Sequence, residues 1–353
     1  MDNDSVTPLT LSPFELDMAA QPDALLDFGQ AGPAAELTEI ARGDYDRVVF
    51  TGMGSSHFAA LPSWRQLVAA GRGSWWVDTG QLLDSPRLIT ESTLLVVTSQ
   101  SGASGEIAAL LGPAGQGPSP RPRAVVGITN EPGSPLGRAS DAVIGLHCGP
   151  EATVSTKSYL NSLAAHQQLL RALTGTAAGS PAGSPAGTAK AISDLNPVPA
   201  ATALAEAVTT AGHPRIAFIG ARDDAATALY AGLITKEAAK VAAEGFIGGQ
   251  FRHGPLELAG PGLAAVLFGA CAEGGSGPIS SLASDLAATG ADVTLVGDLQ
   301  LPGTRTIAIP RGTTLTELAA GAVVAQHIAV RIARARGLEP GAFAYGQKVT
   351  TTL

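Results

Sequence analysis

The stretch TLLVVTSQSGASGE, residues 93–106, sets an unbroken apolar run directly before a loop of hydroxyls and glycines. Continuous aliphatic and β-branched residues are what a strand buried on both faces of a parallel sheet requires. Three serines and two glycines then crowd the nine residues from Thr98 to Glu106, where the strand hands over to a helical pattern. Taken alone, such a loop is a polar turn with good helix caps. Taken as a site, it is a cradle for a phosphate, because a helix N-terminus offers free N–H groups and a partial positive charge.

The same grammar recurs along the chain. RVVFTGMGS (47–55), TLLVVTSQS (93–101), RAVVGITNE (123–131) and DAVIGLHC (141–148) form one series of strand-like runs. RIAFIGARD (215–223), AAVLFGACA (264–272), DVTLVGDLQ (292–300) and RTIAIP (305–310) form a second. FTGMGSSHFAALPSWRQLVAAG (50–71) aligns in pattern with FIGARDDAATALYAGLITKEAA (218–239), strand, glycine turn, then an Ala/Leu-rich helix. This predicts an internal duplication and two α/β domains, each a parallel sheet flanked by helices. The expected layout is an N-terminal helical segment at 1–40, domains at 41–190 and 191–340, and a tail at 341–353. The tract TGTAAGSPAGSPAGTAK (174–190) is too poor in large apolar residues to build a core, so it is expected to be a flexible surface loop.

Composition narrows the partners. The chain has 353 residues, 45% hydrophobic and 15% charged, with a formal net charge of −8 and no basic run. Nucleic acid and anionic membrane surfaces demand clustered Lys and Arg, so neither is an expected partner. An anionic ligand must be held by local geometry. Cys148 and Cys271 stand far apart without neighbouring metal-type ligands, which points to a reducing, cytoplasmic setting and no structural metal. The N-terminus MDNDSVTPLT has no apolar core of a signal peptide, and runs such as LAAVLFGACA (263–272) are too short to span a bilayer.

Two loops of the first series, GMGSSHF (52–58) and TSQSGASGE (98–106), both follow strands and precede helices. In an open parallel sheet the carboxyl ends of neighbouring strands share one crevice, where such loops converge. Ser55, Ser56, Ser99, Gln100, Ser101 and Ser104 could then bind a phosphate without a single lysine. A dinucleotide fingerprint would need glycine where His57 stands, and a P-loop is absent.

In order along the chain, GMGSS, TSQSGASGE, NEPGSPLGRASD (130–141), VSTKSYLNSL (154–163), KEAAKVAAEGF (236–246) and FRHGPLEL (251–258) resemble the tandem sugar isomerase (SIS) domain proteins. The resemblance runs from about residue 12 to Leu353. It is to the isomerase half of glucosamine-6-phosphate synthase and to related isomerases and deaminases of amino-sugar phosphates. It implies a flavodoxin-like three-layer α/β/α sandwich for each domain and a sugar phosphate as ligand, with no cofactor. By the same resemblance, Ser99, Gln100, Ser101 and Ser104 bind the phosphate, and Ser55, Ser56 and Ser155 line the sugar site. It further implies Glu237 as the base between C1 and C2, His253 as the aid to ring opening, and Lys348 as the tail residue that closes over the open-chain sugar. The histidine loop is expected to complete the neighbouring subunit's site, hence a homodimer.

Elementary chemistry asks for the same residue types: a carboxylate poised near neutral pH to shuttle a carbon-bound proton, and a histidine to serve ring oxygen and hydroxyl. Each also has a plain alternative. Glu237 could lie on a solvated helix face among lysines, His253 could cap a turn, and Lys348 could be an ordinary surface lysine. Two positions depart from the synthases: Ile234 and Tyr230 stand where those carry a lysine and a glutamate, so Tyr230 and Ile234 are expected to bear on which sugar is held. No glutamine-hydrolysing segment precedes these motifs, so a stand-alone isomerase or deaminase is expected rather than a synthase. A deglycase of fructosamine-type phosphates and a non-catalytic phosphosugar sensor are the competing readings.

Overall fold

The computed structural model describes residues 10–112, 120–176, 183–211, 215–272 and 277–351. The first series of apolar runs becomes β1 (Arg47–Gly52), β3 (Thr93–Thr98), β4 (Ala124–Thr129) and β5 (Ala142–Gly145), joined at the edge by β2 (Ser74–Trp76). The second becomes β6 (Arg215–Gly220), β8 (Leu263–Ala270), β9 (Asp292–Gly297) and β10 (Thr304–Ile307), with β7 (Ala243–Ile247) at its edge. Both sheets are entirely parallel. Their strand orders, β2-β1-β3-β4-β5 and β7-β6-β8-β9-β10, are the same topology twice. The duplication expected from the sequence is therefore present in the fold, each half an α/β unit of flavodoxin-like order.

The central strands are apolar throughout because both faces are covered; β3 and β4 have no exposed position. The two strands that the apolar pattern misses, β2 and β7, each lie at one edge of their sheet. β2 is three residues long and is secured from outside the ladder: Trp76 donates its indole N–H to the His57 carbonyl (2.7 Å) and stacks on the His57 ring at 4.0 Å. β7, AEGFI, holds a glutamate and a glycine, and lies so close to the helix Ala225–Ala239 that a Cβ on Gly245 would sit 2.4 Å from the Ala228 carbonyl oxygen. Only glycine fits there.

That helix is buried on nearly every side. It packs against Gly54–Ala69 of the first half as well as against β7 and the helix Thr314–Ala335 of its own. Tyr230, 1% exposed, anchors it: the ring stacks on Tyr159 at 3.9 Å, and the hydroxyl donates to the Ser155 carbonyl (2.6 Å) while accepting from Gln326 (3.0 Å). Gln326 in turn exchanges amide hydrogen bonds with Gln21 at 2.8 Å each way, so this buried polar group is satisfied across three segments. The helix Thr314–Ala335 has the length and apolar composition to cross a membrane, but 83% of its most apolar window is buried inside the protein.

Two regions differ from expectation. The tract 174–190 does not stay loop to its end: Pro185–Ser193 is a helix, begun by Pro185 in its first turn and by the Ser184 hydroxyl accepting from the Gly187 N–H. Residues 177–182 of that tract lie outside the described residues. Lys157, in the motif VSTKSYLNSL (154–163), is not among the residues that line the crevice described below. It is buried and paired with Asp17 of the helix Pro13–Ala19 (2.8 Å), while Asp17 also accepts from the Ala152 N–H (2.8 Å). The N-terminal helix thereby braces the 150–157 loop.

Removing one partner of a buried pair strands the other charge. Lys157→Met should lower unfolding free energy by about 3 kcal/mol or more, read from denaturant midpoints, and adding Asp17→Asn should recover a large part of that loss.

Candidate active site

The order of strands reverses between β1 and β3, and Gly52 at the end of β1 pairs in register with Thr98 at the end of β3. A crevice opens at such a reversal, outside the carboxyl ends of the strands. Here it is a cavity of about 290 Å³ whose walls include Ser55, Ser56, Ser99, Gln100, Ser101, Ser104 and Ser155. All seven of the expected binding residues therefore meet in one place.

The hydroxyl loop is shaped by its own backbone. Gly102 has φ +60°, and a Cβ there would lie 2.0 Å from the Ser134 hydroxyl oxygen, so the tight turn requires glycine. The Ser99 hydroxyl accepts from the Gly102 N–H (3.1 Å) and the Ser101 hydroxyl from the Ala103 N–H (3.3 Å), which holds both side chains in the turn. Gln100 contributes its carbonyl to Thr129 and Asn130. Ser104 precedes the helix Gly105–Leu111 without capping it. The first amide of that helix, Gly105, is taken by the carbonyl of Thr350 from the tail (2.9 Å). Hydroxyls, more than the end of a seven-residue helix, are what this loop presents. Across the crevice Ser55 donates to Ser155 at 3.0 Å.

The second half of the chain supplies the opposite wall. Leu233 and Glu237, one turn apart on the helix Ala225–Ala239, face the crevice. Burial pushes the Glu237 carboxyl up to about 7 against the pull of Lys348, Lys240 and Lys236, and Glu151 adds to the rise. Such a carboxylate can take and return a proton near neutral pH. The tail closes the top with Phe343, Gln347, Lys348, Val349 and Thr350. Lys348 is the one cationic side chain among the lining residues, facing two carboxylates, Glu106 and Glu237. Its ammonium is paired with Glu151 at 2.6 Å.

His253 does not line its own chain's crevice, which is compatible with the expected contribution to a neighbouring subunit's site; it is exposed, just beyond the short helical turn Gly248–Arg252 of the second half. Tyr230 and Ile234 do not face the ligand space either. Ile234 is fully buried and Tyr230 reaches the site only through the Ser155 carbonyl, so neither can read the sugar directly. Apolar side chains that do line the crevice include Leu233, Met53 and Phe343. Glu151 was not anticipated: an acid in CGPEATVS carries no local motif, and its lysine partner lies 197 residues away.

Comparison with known proteins agrees with this architecture. Residues 44–172 match the SIS domain family. A glutamine–fructose-6-phosphate aminotransferase (isomerizing) of Pyrococcus horikoshii is 30% identical over 254 residues, 70% of this chain and 42% of the relative, so the match spans less than half of that longer protein. Among solved structures, the C-terminal domain of glucosamine-fructose-6-phosphate aminotransferase from Francisella tularensis superposes with a TM-score of 0.77 at 17% identity, covering 96% of this chain and 98% of that one. Glucosamine-6-phosphate deaminase from Thermotoga maritima gives 0.75 at 21% identity, covering 96% and 99%. At those identities the superpositions speak for the fold, and the fold they share is the doubled parallel sheet described above. The matched segment marks residues 44–172 as a SIS domain, and over the rest of the chain the superpositions show the shared fold.

Proposed function

We propose that the crevice binds a sugar phosphate and moves a proton between its C1 and C2, as an aldose–ketose isomerase, and that with an amino sugar it releases ammonia. The observation that carries this reading is Glu237, a carboxyl raised to about 7 by burial and placed across the crevice from a loop rich in hydroxyls. A carboxyl held near neutral pH by burial inside a crevice favours catalysis over a module that only senses a ligand.

In this reading the phosphate rests among Ser99, Gln100, Ser101 and Ser104, and the sugar extends past Ser55, Ser56 and Ser155 toward Glu237. Glu237 removes the proton from C2 of the open-chain aldose as O1 takes up a proton, giving a cis-enediol; return of the carbon-bound proton to C1, with loss of the O2 proton, completes the ketose. The Lys348 ammonium stabilises negative charge developing on the oxygens. With a 2-amino sugar the same transfer passes through an enolamine to a C2 imine. Addition of water to that imine expels ammonia and leaves the ketose phosphate. The TM-score neighbour named a glucosamine-6-phosphate deaminase supports the deaminating form by its fold and name alone. The free cysteines Cys148 and Cys271 fit a cytoplasmic setting.

His253 enters this scheme from a second copy. It is exposed and stands outside its own chain's crevice, on a loop pinned by the buried Phe251. A homodimer that exchanges these loops would give each site one histidine to assist ring opening.

A panel of hexose and hexosamine 6-phosphates, scored for ketose, ammonia and free amino acid, separates isomerase, deaminase and deglycase. Glu237→Gln should abolish turnover, by three orders of magnitude or more, while leaving phosphate-ester binding within about threefold; full activity in that variant would sink the mechanism. Because the base must be ionised, kcat/KM of the wild type should be flat above pH 7 and fall about tenfold per unit below it. Mixing inactive Glu237→Gln with inactive His253→Ala should restore on the order of a quarter of wild-type activity, since half of random dimers carry one intact site. No recovery on mixing would remove the shared site.

A further inference from the structure

Glu151 carries a charge but meets no solvent: its side chain is 0% exposed. One carboxylate oxygen accepts from the Thr156 N–H (2.8 Å), the Thr156 hydroxyl (3.0 Å) and the Ser158 N–H (3.0 Å). The other accepts from the Ser158 hydroxyl (2.6 Å) and from the Lys348 ammonium (2.6 Å). Burial alone would push this carboxyl up; the Lys348 charge and these hydrogen bonds outweigh it and hold it below the usual carboxylate range. Glu151 is not among the residues that line the crevice, whereas Lys348 is. It sits behind the lysine.

The tail is tied down at both ends by its backbone. The Gly341 N–H reaches the Ala238 carbonyl (3.4 Å), Lys240 reaches the Ala342 carbonyl (2.7 Å), and the Gly105 N–H reaches the Thr350 carbonyl (2.9 Å). Between those ties the pair to Glu151 is the side-chain fastening that the described residues show. A lysine has four rotatable stem carbons and costs roughly 2 kcal/mol of rotamer entropy to fix. In a crevice with two other carboxylates, Glu106 and Glu237, an unfastened ammonium would also be drawn to the base itself. A carboxylate that is already immobilised by four local donors spares Glu237 that fate.

We propose that Glu151 is a positioning residue, which sets the Lys348 ammonium over the crevice and holds residues 343–351 closed without touching the ligand. The catalytic part of this inference rests on the sugar-phosphate reading; the fastening itself does not. The charges that bear on Glu237 are Lys236 and Lys240 on its own helix, Lys348 from the tail and Glu151 from the loop before Thr156. Neutralising Glu151 removes one acidic neighbour and frees one cation toward Glu237. Both changes favour its ionised form.

The test is a cycle of wild type, Glu151→Gln, Lys348→Met and the double variant, read first by amide exchange across residues 343–351, which needs no substrate. Each single variant should exchange at least tenfold faster there than wild type, and the double variant no faster than either single one. Unchanged exchange in Lys348→Met would overturn the proposal even if Glu151→Gln failed to fold. So would additive effects in the double variant, which would assign Glu151 to the 151–158 loop alone. With a turned-over sugar phosphate in hand, Glu151→Gln should lower kcat more than it raises KM and move the acid limb of kcat/KM to lower pH. An unshifted limb would contradict the role toward Glu237, while the exchange result would still stand or fall separately from the reaction.

Discussion

The helix Ala225–Ala239 has almost no solvent face. It must pack at once on β7 and Thr314–Ala335 behind it and on Gly54–Ala69 of the other half in front, and the Gly245 contact leaves no room to withdraw. That constraint fuses the two halves and fixes where Glu237 meets the crevice. The crevice at the carboxyl ends of β1 and β3 would otherwise be a cup of serines. Because this helix crosses its mouth, the cup acquires a buried carboxylate, and because the carboxylate is buried it is poised near neutrality.

The duplication then takes on an asymmetric meaning. One half contributes hydroxyls and turns, the other the Glu237 carboxyl and a closing tail, although both sheets have the same strand order. Tyr230 illustrates how closely the halves are joined: on the same helix as Glu237, it holds the carbonyl of Ser155, a residue of the opposite wall. A shift of that helix would move Glu237 and the wall at Ser155 together.

Much of this was legible in the sequence, and the reasons are physical. Central strands of a parallel sheet are apolar on both faces, so the six of them stood out as runs, and the edge strands β5 and β10 with them. The opposite edges did not: Ser74–Trp76 is too short to show a period, and AEGFI breaks it with a glutamate and a glycine. Loop residues that converge at a sheet reversal were also legible, since topology brings Ser55, Ser99 and their neighbours together whatever the details. What could not be read was anything that depends on distant pairing. Lys157 looked like part of a site motif and is a brace for Asp17; Tyr230 and Ile234 sit at positions that matter in a resemblance, yet point into packing; and Glu151 acquires its meaning from a lysine near the other end of the chain.

The central claim is that a ligand phosphate lies in the serine loop of one half while its reacting carbons face the carboxylate of the other. A crystal structure with glucosamine 6-phosphate or fructose 6-phosphate bound tests it most directly. Phosphate oxygens should lie within hydrogen-bond distance of the Ser99, Ser101 and Ser104 hydroxyls, with C1 and C2 about 3–3.5 Å from the Glu237 carboxylate. A phosphate bound elsewhere, or a sugar whose C1 and C2 point away from Glu237, would contradict it.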